Sequence, residues 1–169
     1  MAWDETNFKK ELAEKVEAFD KEGSAALCKK LITYISQSTE LYPAKEAMGV
    51  LKLLRRKRMF KLMQMVADAL IMSGQDTPEV RRQYVQCLID QEIMTAAIGV
   101  LDALIADTQN DPSENAEAHG LKGRAYKQLY INAKNPSNPR NRLFMERAVR
   151  SYFDVYKSAP NDYLWHGIN

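Results

Sequence analysis

Two histidines, two cysteines and one glycine-centred basic triplet are the residues whose chemistry matters first, and their spacing argues against catalysis. His119 and His166 stand in no HExxH frame and have no metal-ligand set around them. Cys28 and Cys87 lack CxxC spacing and sit on apolar helical stretches, so they read as buried free thiols of a reducing compartment. Lys122-Gly123-Arg124 is not a phosphate loop, because the GxxxxGK[ST] frame is missing. Asp and Glu are scattered over helix starts and solvated faces. No catalytic residue, metal or cofactor is expected, and the chain is read as no enzyme. The densest basic run is Arg55-Arg56-Lys57-Arg58. Nucleic acid calls for a larger basic stripe with stacking aromatics, and only Phe60 is close, so this run reads as a solvated interhelix turn. What remains is recognition, since guanidinium groups bind carboxylates through paired, charge-assisted hydrogen bonds.

Those residues must be carried by helices. A chain of 169 residues is one domain by length and large enough to bury its own core. Only 7 Gly and 6 Pro interrupt it, and strand-like alternation is missing, so the fold class is all-α. A formal charge of +2 is too small to argue for nucleic acid or a membrane. No stretch approaches the roughly 20 apolar residues that span a bilayer, and Met1 to Asp20 is charged and amphipathic, so a cytoplasmic protein is expected.

The pattern predicts eight helices. The first runs from Asp4 to Asp20 with Phe8, Leu12, Val16 and Phe19 on one face, and Gly23-Ser24 closes it and caps the second, which reaches Ser38. Pro43 opens the third, which stops within Arg55 to Arg58; the fourth, Met59 to Met72, is apolar nearly all round and so is sandwiched between neighbours. Thr77-Pro78 starts the fifth, and the sixth runs from Ile93 to Asp107. Asp111-Pro112-Ser113-Glu114 caps a seventh reaching Asn132, and Asn138-Pro139 opens an eighth ending at Ser158-Ala159-Pro160.

Between Glu117 and Pro160 lie Ala118, Gly123 and Tyr126, then Ala148, Tyr152 and Pro160, with Leu121 and Val149 beside them. This resembles the tetratricopeptide pattern, in which a small residue, an aromatic and an alanine let two antiparallel helices pack closely before a proline ends the unit. About a dozen extra residues separate Tyr126 from Ala148; they include Asn135-Pro136-Ser137-Asn138-Pro139 and read as longer helices plus a loop. Arg82 to Gln109 is the next best repeat, Met48 to Met72 keeps the apolar skeleton, and the first pair keeps almost none, as a capping repeat would. The resemblance implies an α-α superhelix. Its single domain of residues 1–169 comprises a capping pair (1–40), repeat pairs at 43–74, 77–109 and 113–160, and the start of a further repeat at 161–169. The exposed tail with Trp165 and Ile168 is expected to continue, as the N-terminal piece of a larger protein.

Gly120 through Tyr130, and Tyr152 through Pro160 leading into Tyr163 and His166-Gly167-Ile168-Asn169, resemble the TRAFs-binding domain found in apoptosis-signal-regulating MAP kinase kinase kinases and in bacterial proteins. The bacterial branch is the better match, because no kinase motif is present and Tyr84 through Gln91 is similar to its preceding repeat. A regulatory scaffold follows from that resemblance. In the tetratricopeptide register the first helix of each pair lines the concave face. The register selects Lys52, Arg55 and Arg56; Glu79, Arg82, Gln86 and Asp90; and Glu117, Gly120, Arg124, Lys127 and Gln128. The expected function is a basic groove that holds an acidic peptide, a chain terminus, or the acidic face of a partner protein or of another domain of the same chain. A structural spacer or dimerisation module for a protease-like or kinase-like effector is the alternative, with an apolar patch around Trp165; weak nucleic-acid binding through Arg55 to Arg58 is the second.

Overall fold

The computed structural model describes residues 3–135 and 137–169. Pro136 of the expected loop, and Met1 and Ala2 of the amphipathic opening stretch, lie outside the described residues. Every described element is helical, and the chain divides into two compact units, Met1–Gln91 and Glu92–Asn169.

The first unit holds α1 (Glu5–Glu17), α2 (Lys21–Gln37), α3 (Ala44–Arg56), α4 (Phe60–Met72) and α5 (Pro78–Asp90). Local hydrogen bonds set most of the starts. The Asp4 carboxylate accepts the Asn7 N–H at 3.0 Å, and Thr77 caps α5 by accepting the Val80 N–H ahead of the pre-set Pro78. Two expectations are corrected here. Gly23 and Ser24 lie inside α2, because Asp20 takes the cap: its carboxylate accepts the Gly23 N–H at 2.8 Å and also pairs with Lys15 at 2.9 Å. Phe19 is not a core residue of α1. The helix ends two residues earlier, Phe19 turns to φ 55°, and its side chain is 59% exposed.

Packing follows the spacing. Phe8, Leu12 and Val16 of α1 meet Leu27, Leu31 and Ile35 of α2 and Leu51 and Leu54 of α3 in one buried cluster. Each such side chain contributes roughly 1.5–3 kcal/mol by leaving water. Helix α4 packs against α2, α3 and α5, which accounts for its nearly continuous apolar sequence. Met63, Val66, Ala67 and Leu70 are buried there, while Met72 emerges at the end of the helix. Each helix also reaches the next but one, as α1 with α3 and α3 with α5, which is how nested hairpins pack. Cys28 and Cys87 are free and buried, and burial pushes both thiols up to about 12.

The second unit holds α6 (Met94–Asp107), α7 (Pro112–Ile131), α8 (Pro139–Ser158) and the single turn α9 (Leu164–Gly167). Asp111 caps α7 by accepting the Glu114 N–H at 3.1 Å, and Asn138 caps α8 through the Arg140 N–H at 2.9 Å. Asn115 ties α7 back to α6, donating to the Ile105 carbonyl at 3.0 Å and to the Thr108 hydroxyl at 3.2 Å. Helices α7 and α8, 20 residues each, run for about 30 Å and form the closest pair of this unit. Gly123 makes that closeness attainable: a Cβ there would stand 2.7 Å from Cζ of Tyr152.

Alanine at two of the helical glycines of this unit should therefore act in opposite directions. Gly123→Ala forces the Tyr152 ring and should cost about 1–3 kcal/mol through overpacking. Gly99→Ala meets nothing within 4 Å, and should stabilise by about 1 kcal/mol through helix propensity alone. Urea unfolding of the two variants measures both.

Candidate partner-binding surface

In the first unit the register residues fall on α3 and α5, two helices in direct contact. Lys52, Arg55 and Arg56 are exposed. Arg56 turns to Glu17, whose carboxylate also pairs with Lys57 at 2.6 Å; the Lys57 hydrogen bond, more than Arg56, holds that carboxyl below its usual range. Such exposed pairs stabilise little and leave Arg56 able to exchange partners. On α5, Arg82 and Asp90 are half-buried, whereas Gln86 is only 7% exposed. The spacing that puts Arg82 and Gln86 one turn apart thus leaves them with unequal access to solvent.

In the second unit the register selects α7. Arg124 is exposed, and its charge acts on Tyr152, whose hydroxyl is pushed up by burial and drawn the other way by the guanidinium. Gln128 donates to the Asn132 side chain at 2.8 Å within its own helix end. Lys127 reaches the Asn169 carbonyl at 3.4 Å and stands at the edge of an open groove of about 350 Å³. Met145, Val149, Tyr152, Phe153 and His166 line that groove. The 145, 149 and 153 positions recur at helical spacing on α8, so one apolar stripe faces water beside a cation. Val149 and Phe153, 56% and 53% exposed, belong to this stripe; the hairpin interior that the repeat pattern suggests for Val149 is filled by Ala148, Tyr152 and Val155.

Gly120 does not line a groove. A Cβ there would stand 2.7 Å from Cη2 of Trp165 and 3.0 Å from Nε2 of His166, so the α9 turn rests on bare α7 backbone. His166 is buried, with Nε2 at 3.0 Å from the Ala116 carbonyl. A carbonyl can only accept, so Nε2 donates to it, while buried Nδ1 has no hydrogen-bond partner among the described residues. The ring is thereby a structural clasp, T-shaped to Tyr152 and Tyr163 and tilted against Trp165. Spacing alone gave no sign of this role; the signal was Gly120 one helical turn before Gly123.

The profile of the Tetratricopeptide Repeats-Sensor family matches residues 55–169, well over half of the chain. The chain belongs to that family. No curated protein and no solved structure matches it. The matched span of this Tetratricopeptide Repeats-Sensor chain includes α4 to α9 and every register residue except Lys52. Among the described residues no helix is long and apolar enough to cross a membrane.

His119 lies one residue before Gly120, and its ring is held below the ordinary 6.5, by burial first and then by the charge of Lys122 and by His166; Asp154 opposes them. The unfolded chain therefore binds this proton more readily than the folded one. Stability is fully present above about pH 6.5 and falls as the pH drops from there through the folded value. His119→Gln should flatten that part of the profile, measured by urea midpoints between neutral and mildly acidic pH.

Proposed function

We propose that the chain is a non-enzymatic interaction and regulatory scaffold that takes an acidic peptide or the acidic face of a partner domain. Membership in a tetratricopeptide family supports protein binding, and the family is named for a sensor. The observation that carries the finer reading is Lys127 at the edge of the open apolar groove on α8. An apolar stripe flanked by a cation suits an amphipathic segment with acidic residues beside its anchors. Arg124 and Gln128 extend the same α7 surface, and Lys52, Arg55, Arg56, Arg82 and Asp90 supply polar side chains on the first unit, with Gln86 buried behind them. The resemblance to the TRAFs-binding domain, in its bacterial branch, supports a regulatory role beside an effector, and two buried free thiols suit the cytoplasm.

Titration of an amphipathic acidic peptide against the whole chain tests this reading. Lys127→Glu and Arg124→Glu should each weaken binding about tenfold, with the loss growing at low salt. Unchanged affinity in both variants would refute it.

A dimerisation module is the second reading, favoured by the apolar side chains of the α9 turn. Trp165 is 41% exposed and Ile168 79% exposed, on a surface that a second copy could cover. In sedimentation the chain should then be a dimer that Trp165→Ser or Ile168→Asp dissociates. A monomer at high concentration rules the module out.

A further inference from the structure

Two turns of the first unit are closed by residues other than glycine in the left-handed region: Phe19 at φ 55° after α1, and Arg58 at φ 57° after α3. The turn after α4 does the same with Gly74, at φ 90°, where no Cβ is strained. A residue with a Cβ is strained at such an angle, and the angle recurs at Glu92 (φ 62°) after α5, so the turn geometry imposes it and the recess rests on what the two turns bring together. The Phe19 ring does not repay its backbone by burial, since it stands mostly in solvent.

Both left-handed residues line one cavity of about 280 Å³, with Lys21, Lys57, Met59, Phe60, Lys61 and Leu62. Nζ of Lys57 lies 4.9 Å over the Phe19 ring, and the Arg58 guanidinium lies 5.8 Å over Phe60. Lys57 is paired with Glu17, whereas Lys21, Arg58 and Lys61 enter no ion pair among the described residues. Positive charge thus surrounds a small apolar recess made by two turns that lie far apart in sequence.

We infer that this recess binds an acidic peptide segment through one apolar anchor side chain, with the flanking carboxylates held by Lys21, Arg58 and Lys61. The volume suits one large side chain and excludes a helix. Met59 and Leu62 offer the anchor an aliphatic wall. Single-stranded nucleic acid is held along a groove by successive stacked bases, whereas this recess has the volume of one large side chain. The site goes beyond the α7–α8 surface and stands whether or not that surface binds anything.

An array of short peptides, each with a central Leu or Phe between Asp and Glu residues, probes the whole chain against matched peptides with Asn and Gln flanks or a central Ser. Acid-flanked, apolar-centred peptides should bind, and salt should weaken them. Phe19→Gly and Arg58→Gly should each lower affinity about tenfold or more. Both should leave Tm unchanged or raise it, because glycine takes a positive φ freely. Lys61→Glu, at an exposed position, should lower affinity without touching the backbone. The assignment fails if acidic flanks confer no preference or if all three variants retain full affinity. It fails equally if Phe19→Gly lowers Tm, which would make the ring structural. Binding of an oligothymidine or of phosphatidylserine vesicles at these residues, with acidic peptides inert, would overturn it as well.

Discussion

Bare backbone on α7 is the constraint on which the second unit depends. Gly120 and Gly123 lie three residues apart, hence on one side of the helix, and aromatic side chains of α9 and α8 rest directly against them. Tyr152 covers Gly123, while Trp165 and His166 cover Gly120. Removing two Cβ atoms lets large rings come within van der Waals distance of the helix, where dispersion and burial outweigh the helix propensity that glycine gives up. The single turn α9 is too short to be stable alone. It is held by that seat and by the His166 hydrogen bond to Ala116.

The first unit solves the same packing problem with aliphatic side chains. Leu12, Leu31, Leu51, Leu54, Met63 and Leu70 are fully buried and form a continuous interior from α1 to α4. Its opening pair lacks the small-and-aromatic motif and uses an aromatic cluster in its place. Trp3 stacks on Tyr34 at 4.4 Å, Tyr42 donates to Glu5 at 2.6 Å, and Gln75 donates to the Tyr42 carbonyl at 2.6 Å.

Both solutions leave polar and apolar side chains at helix surfaces and turns. In the second unit, α8 shows water an apolar stripe beside Lys127. In the first, two turns that close helices also gather cations around two rings. The buried His166 packs among Tyr152, Tyr163 and Trp165.

Much of the fold was legible because its causes are local. The caps at Thr77, Asp111 and Asn138 act on N–H groups two or three residues away, so their helices begin where the sequence places them. The same locality explains the misplacements. Helical periodicity carries from Val16 to Phe19 across a helix end that only the turn reveals, and Asp20 outcompetes Ser24 because a carboxylate binds N–H groups and Lys15 together. Access to solvent was not legible: Gln86 shares its face with Arg82 yet is buried. By itself the sequence determined the helices, their hairpin order and the glycines that let rings approach, since these follow from periodicity, capping and side-chain size. Tertiary structure alone decided which cations meet which rings, because Phe19 and Phe60 become neighbours only when two hairpins pack.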